Sequence, residues 1–522
     1  MKKYLFFILF LYFLSSVSAQ TSLNMSLFGQ IDRGDDRYSG SWIYVDTETG
    51  NEYALLGSTS GTAVYDISTS SIEEVGFISG PYSRWREITV IGKYAYVVTE
   101  GRGVGEGMQV IDLSDLPNTF SLLSTYNTTF STGHIIQRDI YSDAPYVYVN
   151  GTCNSCGVNI IDVSDPANPK EIGNYNPGYY VHDCHVKGDY LYAAAFYKGT
   201  IDIVDISDKT NPFLAAQIEV PAGNTHSSWL TEDNQHLIIS PEMDGLPARI
   251  WNIADLENMY EVSTYSGNLE SLTHNPYVRG DFVFFSHNTE GIRVVDIKDP
   301  SCPVEVGFFD TFSGPSGGFN GLWSACPYSA SGKIIGGNRE DGLYVWAFNN
   351  TAANRINITV SDATTKLPIE MAMVQLQDGT AISADRSGIF KYGTVAEEIN
   401  IKVVAEGFQA IDTTLVLAQG TQVNIDLFLQ SRSVSTNELA KLPVALAYPN
   451  PFSTKTIIDL SSFSNAQTLV LTDVLGRSLQ TFPIKNQTTF ELEKGSLENG
   501  LYYYLIYNKG GAPLAKGRVI LE

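Results

Sequence analysis

The chain has 522 residues, room for several domains, and its apolar content of 43% is enough for large buried cores. A formal net charge of −24 argues against nucleic acid or an anionic membrane surface as partner. Thirty Tyr and 25 Phe favour strands over helices.

In chain order, residues 1–19 read as a secretory signal. Lys2 and Lys3 precede an apolar stretch, Tyr4 to Leu14, that is too short to span a bilayer. Small residues around Val17, Ser18 and Ala19 predict a cut between Ala19 and Gln20. No later stretch has the length of a membrane span, so the mature chain is expected to have no transmembrane segment.

Seven related phrases follow: GTAVYDIS (61–68), GMQVIDLS (107–114), GVNIIDVS (157–164), TIDIVDIS (200–207), ARIWNIAD (248–255), GIRVVDIK (291–298) and GLYVWAFN (342–349). Each period holds four short apolar runs separated by turn signals, as in EIGNY, HDCHV, YLYAAAF and TIDIVDIS. Four strands repeated at a period in the forties predict an all-β fold, a seven-bladed β-propeller over residues 20–349. The last unit lacks its own fourth strand, and residues 26–31 are expected to supply it and close the ring.

The repeated aspartates are expected to accept backbone N–H groups in turns and to have no catalytic role. Asn252 and Ala347 replace two of them, which predicts altered turns in those units. The phrases VIDLS, IIDVS, IVDIS and VVDIK resemble the LVIVD-repeat family, propeller-like domains of exported bacterial proteins. That resemblance implies a fold and little about function.

Residues 354–430 alternate as a small β-sandwich does. Pro368, Ile369, Val374, Asp385, Gly388, Ile389, Phe390, Gly407 and Phe408 resemble the carboxypeptidase regulatory-like domain, which implies a spacer without an active site. A polar linker is expected over 431–443. The final segment, 444–522, is expected to form a second small β-sandwich and carries YPNPF (448–452), a turn at Asp473–Arg477, the run Asn499–Tyr503 and Lys516-Gly517-Arg518. It resembles the C-terminal sorting domain of the type IX secretion system of Bacteroidetes. The resemblance implies handling by that machinery and delivery to the outside or the cell surface.

Candidate chemistry lies on the innermost strands. Their alignment places Arg86, Arg138, His182, His226, His274 and Asn320 at one phase, facing the central channel. His182, His226 and His274 are the residue types that hold a divalent transition metal or an anion. Arg86 and Arg138 would add carboxylate contacts. Asp183 and His185 share a strand face and could form a local pair. Tyr179, Tyr180, Trp229, Tyr277, Phe319 and Trp323 could stack on sugars or pack between blades. Loops beginning at Glu100, Gly151, Glu242, Asn288 and Asn338 lie on the same face.

Of five cysteines, Cys153 and Cys156 could close a tight loop, Cys302 and Cys326 could bridge repeats, and Cys184 would be a buried odd thiol. Neither H-E-x-x-H nor a Walker loop occurs. The leading reading is an exported binding protein that recognises a protein or glycan at the propeller rim. The alternative is a metal-dependent hydrolase or lyase using the three histidines.

Overall fold

A computed structural model describes residues 21–522 except 154–155, 371, 377–378, 380, 385–386, 433–440 and 486. The signal with its cut at Ala19/Gln20, Asp385 and most of the linker lie outside the described residues. The named elements are all strands, and no helix among the described residues is long and apolar enough to cross a membrane. Contacts divide the chain into two units. Among the described residues, one holds those up to 355 with short stretches at 392–397 and 417–422, and the other holds the remainder.

The described residues of the first unit form seven antiparallel sheets. Their first strands are Tyr38–Val45, Arg86–Ile91, Ile135–Gln137, Asp183–Lys187, Thr225–Leu230, Asn275–Arg279 and Leu322–Cys326. Each touches the first strand of the next sheet, and Leu322–Cys326 returns to Tyr38–Val45. The fold is therefore a β-propeller. Serines tie the seam: Ser41 Oγ lies 2.8 Å from Ser324 Oγ, and Ser324 Oγ donates to Ser39 O at 3.2 Å.

The repeated phrase forms the third strand of each sheet. Its central residues Val64, Val110, Ile160, Ile203, Ile250, Val294 and Val345 are buried between sheets. Each contributes about 1.5–3 kcal/mol by leaving water. The aspartate after them turns the chain. Oδ1 of Asp66, Asp112, Asp162 and Asp205 accepts the N–H of the serine two residues on, at 2.7–2.9 Å. Asn252 was expected to alter its turn but keeps it, because its amide oxygen accepts the Ala254 N–H at 3.2 Å.

Met25–Ile31 pairs antiparallel with Gly342–Phe348 and supplies the fourth strand of the seventh sheet. The preceding Ser22–Leu23 pairs with Val304–Phe309 of the sixth sheet. Asn24, at φ 53°, turns the chain from one sheet to the other, and its side chain donates to Val306 O at 2.7 Å.

Cys153 and Cys156 form a disulfide. Cys184 is buried, and its Sγ lies 3.1 Å from Asn150 Oδ1. Cys302 and Cys326, read from sequence as a second pair, are not joined. Cys326 ends an innermost strand, whereas Cys302 lies in the turn leading to an outer one.

In the second unit, residues 356–429 contribute a three-stranded and a four-stranded sheet. Residues 447–521 form another such pair of sheets over a core that includes Leu469, Leu471, Ile506 and Val519. The Asp473–Arg477 turn is closed by Arg477 Nε on Asp473 Oδ2 at 2.6 Å, with Gly476 at φ +82°, where a side chain would be strained.

Candidate functional site

Four imidazoles form an arc at the start of the innermost strands. Ring centroids of His134 and His182 lie 4.4 Å apart, those of His182 and His226 4.3 Å, and those of His226 and His274 4.3 Å. Trp323 extends the arc at 3.9 Å from His274, and Trp85 stacks on Trp323 at 4.5 Å. The Arg339 guanidinium sits over both indoles, at 4.5 and 5.0 Å. The Trp323 indole N–H donates to Glu87 Oε1 at 2.9 Å. The first sheet offers Gly40 beside this carboxylate, where a Cβ would stand 2.3 Å from Glu87 Oε2.

Backbone carbonyls orient two of the rings. His226 Nδ1 donates to His274 O at 3.0 Å, and His274 Nδ1 donates to Trp323 O at 2.7 Å. The Nε2 atom of each is then a bare acceptor, buried and without a hydrogen-bond partner. Glu242 follows the strand His236–Pro241, and its Oε1 lies 3.7 Å from His226 Nε2 and 3.6 Å from His274 Nε2. Its loop is anchored by Gly245 N on Leu269 O at 2.7 Å and by Gly318 N on Asp244 Oδ2 at 3.1 Å.

Charge along the arc is uneven. Burial, reinforced by neighbouring imidazoles, pushes His182, His226 and His274 well below the usual imidazole value. Burial also acts to lower His134, but the carboxylate of Glu100, 2.8 Å from its Nδ1, raises it above that value. Burial lifts both Glu87 and Glu242 to about 7.

The sequence-predicted residues divide. His182, His226 and His274 come together as neighbours. Arg86 does not face the channel: it is fully buried, its Nε donates to Ser58 O at 3.0 Å and its Nη2 to Pro81 O at 2.7 Å. Burial lowers it to about 10. It is an anchor between sheets. Arg138 follows the far end of its strand and donates to Asp139 O and Ser142 O at 3.0 and 3.1 Å. His134 takes the rim position instead. Asn320 is exposed in the loop before its strand, and Trp323 takes its place in the arc. Asp183 and His185 do not pair: Asp183 lies 3.5 Å from the Gln137 amide, and His185 packs on Trp229 at 4.4 Å. Side chains lining the channel reach round the ring to the next strand.

A cleft of about 760 Å³ opens beside the His134 end of the arc, lined by Glu100, Arg102, Thr152, Cys153, Tyr180 and Tyr197 among others. Tyr180 lies 5.9 Å from His182 and 5.7 Å from Tyr197. Tyr197 is 82% exposed and Val104, on the neighbouring loop, 98%. Tyr82, Met243, Leu269 and Phe319, on other connections of this face, are also exposed.

His287, on the same face, is buried with neither ring nitrogen partnered, and burial, aided by Arg293 and opposed by Glu290, lowers it to about 4. Its neutral burial stabilises the fold fully above pH 6.5, and that contribution is lost as pH falls toward 4. Between pH 7.5 and 5.0 the wild-type chain should lose about 2 kcal/mol more than a His287→Gln variant. Urea midpoints at the two pH values read this difference, and parallel losses would refute it.

The seven sheets, each linked to the next through its first strand, define a β-propeller. Residues 85–128, 144–177, 178–219 and 274–311 match the LVIVD repeat. The matches cover the second, fourth and sixth sheets and most of the third, a narrower span than the seven phrases. Residues 446–520 match the secretion system C-terminal sorting domain. The protein therefore carries a type IX sorting tail and is secreted or delivered to the cell surface. No curated protein matches the chain in sequence. Among solved structures, it is similar to the β-propeller domain of Myceliophteria thermophila Cps50 (Swd1), at 12% identity and a TM-score of 0.45, over 62% of this chain and 99% of that one.

Proposed function

We propose that the chain is an exported recognition protein whose propeller binds a glycan or a protein segment at its histidine-bearing face, while residues 354–430 act as a spacer. The observation that carries this reading is the cleft with Tyr180 and Tyr197 as walls and Arg102, Glu100 and Thr152 as polar contacts, opening beside the His134–Glu100 pair. Aromatic walls with a few polar groups suit sugar rings or an extended peptide. Tyr82, Val104, Met243, Leu269 and Phe319, exposed on connections of the same face, supply apolar area that a macromolecular partner would cover.

The test is a glycan array and a peptide panel on the purified full chain, followed by calorimetry on the best hit. Tyr180→Ala and Tyr197→Ala should each weaken binding about tenfold or more, equivalent to ~1.4 kcal/mol. Unchanged affinity in both variants would refute the cleft as the recognition site. The second reading, a metal-dependent hydrolase or lyase, is supported by Glu242 standing against the imidazole arc.

A further inference from the structure

Three acceptor groups converge without a donor between them. The Nε2 atoms of His226 and His274 carry lone pairs, because their Nδ1 protons are committed to backbone carbonyls. Both face Oε1 of Glu242, at 3.7 and 3.6 Å. One ligand atom each from His182, His226 and Glu242 also falls within a 4.8 Å group. Buried acceptors left facing one another are costly unless something positive lies among them. Two atoms bound to one tetrahedral cation at about 2.0–2.1 Å stand roughly 3.3 Å apart, close to the observed separations. A metal-bound histidine typically gives its other N–H to a carbonyl or carboxylate, as these two do.

We infer that Glu242, His182, His226 and His274 form a binding site for one divalent first-row transition cation of the zinc class. Imidazole and carboxylate donors together suit zinc and its neighbours better than calcium or magnesium, which prefer all-oxygen sets. The two hydrogen bonds that anchor the Glu242 loop, one at the Gly245 backbone and one at the Asp244 side chain, hold the carboxylate in place, so the site is organised before the ion arrives. The inference supplies the cofactor that the hydrolase reading needs and does not depend on the Tyr180–Tyr197 cleft.

The experiment uses the full chain, stripped with chelator and titrated with Co²⁺ as a visible stand-in, then with Zn²⁺ as competitor. One Co²⁺ per chain with ligand-field absorption is expected, displaced by Zn²⁺. Glu242→Gln should weaken binding at least about tenfold, and the double variant H226Q/H274Q about 100-fold or more. His236→Gln, outside the arc, should change nothing. If the double variant does not fold, Glu242→Gln, a nearly isosteric change outside the strands, decides the matter. Absence of Co²⁺ binding by the wild-type chain, or equal binding by Glu242→Gln, overturns the inference. Metal retained in a chain that fails every glycan and peptide screen would leave this site standing and remove the recognition reading.

Discussion

Replacing Asp296 by alanine is expected to destabilise the propeller by about 3–5 kcal/mol, several times the effect of the same change at Asp205. Both residues occupy the same place in the repeated phrase. Asp205 accepts from Ser207 N and Oγ at 2.9 and 2.6 Å in an exposed turn that water can also satisfy. Asp296 does more. Its Oδ1 accepts from Lys298 N at 2.9 Å and from Arg355 Nη2 at 2.7 Å, and its Oδ2 from Ala353 N at 2.8 Å. The carboxylate is 1% exposed and the guanidinium 6%. Removing one partner leaves a buried charge without its mate, which is the expensive way to break such a pair. Removing both, in an Asp296→Ala, Arg355→Met chain, should recover part of the loss. Urea unfolding of the three variants measures this, and an Asp296→Ala chain no less stable than Asp205→Ala would refute it.

Deleting the chain through Ile31 is expected to abolish cooperative folding of the propeller. The strand Met25–Ile31 covers the whole edge of Gly342–Phe348, and Met25 is itself buried in the core. Its loss bares a row of backbone donors and acceptors and opens a seam between the seventh and first sheets. The cost is on the order of the entire 5–15 kcal/mol margin of a typical domain. The truncated chain should aggregate, and a peptide spanning residues 21–32, added in trans, should restore a monodisperse species. A truncated chain that stays monomeric and melts within a few degrees of the parent would show that the strand is dispensable. Size exclusion with scattering and a thermal melt read both outcomes.

Much of the fold was legible because it is written locally. Four apolar runs and three turns recur in each unit, and in five units the turn after the third run is made by an aspartate and the N–H two residues on. The missing last strand could be read because EVGFI and EVGFF have no counterpart after GLYVWAFN, while MSLFGQI precedes the first unit. The site was only partly legible, because it is assembled across units. His182, His226 and His274 share one phase and could be found. His134 was missed because the connection after its strand, residues 138–145, is longer than in the following unit, and the longer count shifted the alignment onto Arg138. Glu242 and Arg339 come from loops whose lengths carry no signal of where they bend. The loops beginning at Glu100, Glu242 and Asn338 were recognised as sharing the face, but spacing along a chain does not say which side chains converge. Arg86 illustrates the reverse error: the right strand and position, with a guanidinium that the carbonyls of Ser58 and Pro81 draw inward.

The N-terminal staple sets an order of events. Gln30 donates to the carbonyl of Asp341, 311 positions away, at 2.6 Å. This strand, ahead of the other sheets in the chain, thus finds its mate only after nearly every other sheet exists. Such a distant contact folds slowly, since the ends must meet before any bond rewards them. The ring gains its last edge late, and the rigidity of the seventh sheet arrives with it.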